Sequence, residues 1–157
     1  MSKATRATLA LEAAGIAFDL VVYDYDPGAE AIGLQAAAAI GEPPARVLKT
    51  LMARVDGRPV CAVVPADAQV SMKKLAAAFK GKSAAMMKPP EAERLTGFVV
   101  GGISPFGQKR KVPTVIEAQA LAEPHVFVNG GGRGLQIRLA PADAVKALGA
   151  LAAPIIA

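Results

Sequence analysis

Two runs of β-prone residues, Val47 to Val55 and Pro59 to Val64, stand on either side of Asp56-Gly57. Asp-Gly at that spacing favours a tight left-handed turn that matches the twist of the flanking strands, so the runs are expected to pair as antiparallel neighbours. A chain with a hairpin at its centre is not a regular βαβ array. The flanking segments reinforce this. Helical patterns cover residues 3 to 14, ended by Gly15, and Glu30 to Ile40, ended by Gly41 and Pro43-Pro44. Ser71 is placed to cap a helix whose apolar residues Met72, Leu75, Ala76 and Phe79 recur at helical spacing before Gly81. Pro89-Pro90 opens another helix through Leu95, stopped by Gly97, and Pro141 opens the last, through Val145 and Leu148.

Strand patterns fall between them at Phe18 to Tyr23, Ala84 to Met87, Phe98 to Val100, Val112 to Ile116 and Val126 to Val128. In Leu135 to Leu139, Gln136 and Arg138 alternate with apolar residues as in a half-buried strand. Hairpins and helices interleave without a βαβ period. The expected fold is α/β: a single domain over residues 1–157 with a mixed, mostly antiparallel sheet and surrounding helices, not a Rossmann fold.

Composition narrows the chemistry. With one Cys and one His in 157 residues, neither an internal disulfide nor an ordinary structural zinc site can form, so an aliphatic core must hold the fold. No apolar stretch reaches the roughly 20 residues that span a bilayer, and Glu12 and Gly15 interrupt the first alanine-rich segment. The expectation is a soluble cytoplasmic protein without a membrane segment. The net charge of +5 is concentrated: residues 68–116 hold 9 basic and 2 acidic side chains, against 6 and 8 before them and 3 and 3 after. A polyanionic partner and a solvated lysine face both account for that bias.

Strand alternation puts Lys49 on one face with Val47, Leu51, Ala53 and Val55, whereas Thr50 faces the other way. An ammonium among apolar neighbours either reaches out to water or faces a cleft that supplies an anion. Val99 to Gly107 breaks from a β-run into Gly101-Gly102-Ile103-Ser104-Pro105, and Asn129-Gly130-Gly131-Gly132-Arg133-Gly134 is a second glycine-rich segment. Such segments serve either as ordinary loops or as nests whose amides converge on one oxygen. Neither matches a phosphate-binding loop or dinucleotide fingerprint. Ser104 and His125 lack the pattern of a triad, Cys61 reads as a small buried hydrophobe, and the scattered acids form no metal box.

Taken in order, Val47-Leu48-Lys49-Thr50-Leu51, Gly101 to Lys109, Pro113-Thr114-Val115-Ile116, Gly130-Gly131 and Arg133-Gly134-Leu135 resemble the YbaK family of Cys-tRNA(Pro) deacylases, over nearly the whole chain. That family is related to the editing domain of bacterial prolyl-tRNA synthetases. The resemblance implies trans-editing hydrolysis of the ester in aminoacyl-tRNA(Pro), with no metal or other cofactor and with prolyl-tRNA synthetase as a candidate partner. Lys49 would bind the 3′ end of the tRNA, and Gly101, Gly102 and Ile103 would offer amides to the ester oxyanion. Tyr23, Ile32, Thr50, Ser104, Pro105, Asn129, Gly130, Gly131 and Gln136 would surround the acyl group. Lys73, Lys74, Lys109, Arg110, Lys111 and Arg133 would contact the tRNA. The family reaction is thought to use the thiol of the substrate cysteine against its own ester, which would explain why no triad is needed.

Three positions depart from the family pattern. Asn129 stands where Ser is expected before Gly-Gly, Gln136 where Asp follows Arg-Gly-Leu, and Ile32 at a pocket phenylalanine. Pocket volume and polar walls set acyl discrimination, so removal of Ala or Ser is an alternative to Cys. A non-catalytic tRNA- or synthetase-binding module and a hydrolase using Ser104 are the other readings.

Overall fold

The computed structural model describes residues 4–28 and 31–157, without the side chain of Ile32. Its elements run α1 (Arg6–Ala13), β1 (Asp19–Val22), α2 (Ile32–Ile40), β2 (Leu48–Val55), β3 (Arg58–Pro65), α3 (Met72–Ala78), β4 (Ala84–Met86), α4 (Pro89–Thr96), β5 (Thr114–Glu117), β6 (Val126–Asn129), β7 (Leu135–Leu139), α5 (Pro141–Leu148) and β8 (Leu151–Ala153). The hairpin lies at the centre. Leu48 to Val55 pair antiparallel with Pro65 to Arg58, and Asp56 and Gly57 both take positive φ, 50° and 81°, as the two-residue turn demands. The Asp56 carboxylate accepts the amides of Lys82 and Ser83, which delivers the chain into β4.

The single expected sheet is two sheets, still mostly antiparallel. One has the order β4-β2-β3-β5-β8, with β3–β5 and β5–β8 parallel; the other is the antiparallel β1-β7-β6. Phe98 to Val100 is not a strand: Val99 O accepts the Gly102 N–H at 2.8 Å and closes a turn, while Phe98 plugs the core. β8 carries no alternation in Leu-Ala-Ala that would announce it. Its parallel register against Val115 to Glu117 places it at the sheet edge.

The five-stranded sheet is buried on both faces. Leu48, Met52, Cys61, Val63 and Ile116 pack toward α1, α4, α5 and the second sheet. Ala53, Val55, Ala62, Val64 and Val115 pack toward α3, through Leu75 and Ala76. Each buried leucine or valine of these layers contributes roughly 1.5–3 kcal/mol. A third cluster, Tyr23, Ala36, Ala37, Val47, Ala66 and Phe127, seats α2 at the junction of the sheets. Gly33 permits that seat, since a Cβ there would lie 3.1 Å from Ala66 Cβ. Among the described residues no helix is long and apolar enough to cross a membrane.

Candidate active site

The site arises where a strand loses its neighbours. β4 pairs with β2 over Ala53 to Val55, with one further bond from the Met87 N–H to Met52 O, and β6 meets the start of the hairpin at the Val47–Phe127 bridge. Between these contacts, the edge of β2 has no strand beside it. Cys61 donates its N–H to Pro113 O on the β5 side, so alternation turns the backbone of Ala62 toward Leu51 and that of Thr50 toward the bare edge. A cleft of about 490 Å³ occupies the gap, walled by β2, the start of α2, Met86 and Met87, the Gly101 turn and the paired Asn129 and Gln136.

Lys49 and Thr50 both line this cleft, although they point to opposite faces of the strand, because the cavity wraps around its edge. Lys49 is the only charged residue among the described residues that line it. It is half-buried and, among the described residues, its side chain forms no hydrogen bond or ion pair. Burial pushes its ammonium below the ordinary lysine range, with Asp67 pulling in the opposite direction.

The glycine turn is built from both sides. Gly101 has φ of 90° at the third position of the Val99–Gly102 turn, a place that suits glycine. A Cβ on Gly101 would lie 2.6 Å from the Tyr25 hydroxyl, and one on Gly102 3.0 Å from the backbone of Gly132 and Arg133. The two glycine-rich segments therefore stack directly. Asn129 joins them: its Nδ2 donates to Gly101 O at 3.2 Å, and its Oδ1 accepts the amides of Gly131 at 2.7 Å and Gly132 at 3.2 Å. Arg133 donates from Nε to Val100 O at 3.0 Å and lies over the Tyr25 ring, 5.4 Å from its centroid. Glu93 accepts the Val100 N–H at 2.8 Å.

Among the described residues, three side-chain oxygens around the cleft have no hydrogen-bond partner: Tyr23 Oη, Thr50 Oγ1 and Gln136 Oε1. All three are buried, and burial raises the Tyr23 phenol above its ordinary value. Leaving such groups unpaired costs about 1–3 kcal/mol each, a cost that a bound polar group can relieve. Gln136 is only 4% exposed, against the solvent-facing position that alternation gave it, because β7 is the middle strand of its sheet and α2 and the cleft wall cover that side.

The structure thus brings together Tyr23, Lys49, Thr50, Gly101, Ile103, Asn129 and Gln136. Other expected residues stand elsewhere. The Gly102 amide is spent on Val99 O and is not an oxyanion donor. Ser104 is wholly buried, its hydroxyl accepting the Phe106 N–H, so it cannot act as a surface nucleophile. Pro105 faces a smaller cavity of about 210 Å³ beside α1 and α5, which Lys111 also lines. Gly130 packs on Leu135 and gives its carbonyl to the Thr5 hydroxyl, and Gly131 backs onto Phe98; both support Asn129 from behind. The pocket contact expected of the Ile32 side chain lies outside the described residues, although Ile32 begins α2.

Lys73 and Lys74 lie on α3, with Lys74 Nζ bonded to Ile156 O, whereas Lys109, Arg110 and Lys111 follow the end of α4 on the other sheet face. Cys61 is fully buried with its thiol pushed up to about 12, and His125 sits beside Glu42 and edge-on to Phe127. Tyr25, Glu93, Met86 and Met87 were not singled out from sequence. Nothing local to them reports the strand end that puts Met86 and Met87 in the cleft wall or the turn that Tyr25 and Glu93 hold from outside.

A family model described as the aminoacyl-tRNA editing domain matches residues 26–147. A protein of Enterococcus faecalis, named as a candidate Cys-tRNA(Pro)/Cys-tRNA(Cys) deacylase, EbsC, is 37% identical over 106 residues, which is 67% of this chain and 65% of that protein. The proline--tRNA ligase of Geobacter metallireducens is 33% identical over 92 residues, 59% of this chain and 16% of the ligase. The chain therefore matches just under two thirds of the first relative and a small part of the ligase. Among solved structures, a candidate trans-editing enzyme for prolyl tRNA synthetase has a TM-score of 0.87 at 24% identity, covering 100% of this chain and 98% of its own. A hypothetical protein gives 0.86 at 23% identity, covering 98% and 100%. At such identities these two likenesses establish the shared fold.

Proposed function

The chain belongs to the aminoacyl-tRNA editing domain family, and on that premise we propose that it hydrolyses the ester of a mischarged tRNA(Pro), with Cys-tRNA(Pro) as the favoured substrate. The observation that carries this reading is the content of the cleft: one unpaired lysine, a glycine turn and three unpartnered oxygens, with no nucleophile poised among the described lining residues. Cys61 is a buried thiol, and Ser104 is tied into a turn. In this reading the attacking atom arrives with the substrate.

The thiolate of the bound cysteine attacks its own carbonyl carbon, a C–S bond forms, and the negative charge moves to the carbonyl oxygen. The tetrahedral species collapses by breaking the bond to the ribose oxygen, which takes up, through solvent, the proton that the thiol released and leaves as the free tRNA 3′ end. Water then opens the thioester to free cysteine. Correct orientation in such an intramolecular step can contribute roughly 7–11 kcal/mol. The amides of Gly101 and Ile103 are the candidate oxyanion donors, Asn129 fixes the turn that holds them, and Lys49 binds the terminal phosphodiester. The unpartnered oxygens of Tyr23, Thr50 and Gln136 accept polar groups of the aminoacyl end. Val47, Leu48, Leu51 and Met52 line the remainder, which suits the side chain of Cys or Ala better than that of Ser.

The test is release of amino acid from Cys-, Ala- and Ser-tRNA(Pro) by purified protein. Cysteine release in excess of the other two, lost in Lys49→Ala, is the expected outcome. No release from any of the three overturns the reading, and salt-sensitive tRNA binding without turnover would make the chain a binding module instead.

A further inference from the structure

The basic excess that looks continuous in the sequence is divided by the fold. Lys73 and Lys74 project from α3, which covers the Ala53, Val55 and Ala62 face of the five-stranded sheet. Lys109 and Arg110 stand with α1 and α4, whose Ala7, Leu11 and Ala92 cover the opposite face. A rigid RNA stem leaving the cleft cannot follow both groups as one continuous line.

Contacts running outward from the cleft select between them. The Gly101 turn stacks on Arg133, and a Cβ on Gly131, two residues earlier, would lie 3.1 Å from Thr5 Oγ1 at the start of α1. Arg6 follows Thr5, and its guanidinium donates from Nε to Gly107 O at 3.2 Å. A Cβ on Gly97 would lie 3.3 Å from Lys109 Cβ and 3.8 Å from Arg6 Nε, so these two basic side chains flank one glycine. Lys109 and Arg110 give their backbone amides to Thr96 O and Leu95 O, capping α4. Their side chains are left exposed. Among the described residues none of Arg6, Lys109, Arg110 and Arg133 forms an ion pair, and Glu93, the nearby acid at the turn, is engaged by the Val100 amide.

We propose that Arg133, Arg6, Lys109 and Arg110 form a phosphate track that carries the acceptor stem of an RNA away from the cleft across the α1 and α4 face. The inference rests on the deacylase reading for its substrate, and it assigns to Arg6, 127 residues from Arg133 in sequence, a role that no motif suggests. Both guanidinium groups are already oriented by carbonyl acceptors, so they present their remaining N–H groups without a large loss of side-chain freedom.

The test compares Arg6→Glu/Lys109→Glu with the charge-matched pair Lys73→Glu/Lys74→Glu. Each is assayed on full-length Cys-tRNA(Pro) and on a cysteinyl ester of the terminal CCA trinucleotide, with circular dichroism to confirm the fold. The track pair is expected to raise KM for the tRNA about tenfold or more with kcat little changed, to leave the trinucleotide ester unaffected, and to lower the slope of log binding constant against log salt by about two. Lys109→Glu alone, which leaves the Arg6–Gly107 bond in place, should give about half of that change in slope. An equal or larger KM effect from the α3 pair, or loss of turnover on the trinucleotide ester, overturns the track. If the wild-type protein turns over neither substrate, the deacylase reading fails. Anisotropy with uncharged tRNA(Pro) then still decides the track: a salt slope unaltered in the Arg6 and Lys109 variants refutes it.

Discussion

Asn129 offers the sharpest test of how the site is assembled, because one side chain holds both glycine-rich segments. Asn129→Ala removes the bond to Gly101 O and both acceptor contacts to Gly131 and Gly132. The 2.7 Å contact is the strong one; the two at 3.2 Å are weaker. At about 1 kcal/mol for an average bond, less for the long ones, the loss is about 2–3 kcal/mol. For a chain of this size that lowers Tm by roughly 4–12 °C. Without its tether the Gly101 turn can shift its amides relative to the ester, and a displacement near 1 Å costs about 100-fold in rate. Asn129→Asp separates the two effects. It keeps the acceptor for Gly131 and Gly132 but puts a carboxylate oxygen where Nδ2 donated to Gly101 O. Its Tm should fall by less than that of the alanine variant, while kcat for deacylation falls by a similar 10- to 100-fold. Thermal melts and single-turnover hydrolysis of Cys-tRNA(Pro) read both quantities. If Asn129→Asp keeps the wild-type rate, or Asn129→Ala melts early with an unchanged kcat, the coupling of this side chain to the Gly101 turn is wrong.

Three further outcomes follow from the environments of single residues. Lys49→Met should lose activity yet melt higher than wild type at neutral pH, since the half-buried ammonium is held below its ordinary pKa and its charge opposes folding there. That advantage should narrow as pH rises through the lowered folded value toward about 10.4, where the unfolded lysine also loses its proton; pH-dependent melts check the sign. Cys61, with its thiol at about 12 and no exposure, should resist an aromatic disulfide reagent at pH 8 until denaturant exposes it, and fast labelling of the native protein would contradict the buried placement. Glu117 is 1% exposed and accepts the amides of Gln119, Ile155 and Ile156, so Glu117→Gln should cost roughly 2–4 kcal/mol in urea unfolding and speed hydrogen exchange at Ile155 and Ile156.

Most of the local architecture was legible because its determinants are local. Asp56-Gly57 fixed the hairpin and its register, Ser71 caps α3 through the Lys74 amide, and Gly41 and Gly97 end α2 and α4 in the left-handed conformation. Lys49 was marked by its conflict with an apolar strand face, and the glycine-rich segments by their freedom to approach other backbone closely. Phe98 to Val100 misled because a β-prone composition does not reveal that Val99 closes a turn with Gly102. Ser104 misled for a related reason: its position beside the glycine pair says nothing about the Phe106 amide that its hydroxyl serves.

The sequence alone therefore determined the helices, the central hairpin, the lack of an internal disulfide partner for Cys61, and the residue types from which a site could be made. Those properties depend on periodicity, capping and composition, which act over a few residues. Only the tertiary structure decided that β4 stops short and leaves the β2 edge bare, that Gln136 turns inward, that Asn129 clasps a turn 28 residues away, and that the basic segment divides between two faces of a sheet. Each depends on which distant strand or helix lies alongside. That choice is made by the packing of the whole core, and no window of sequence contains it.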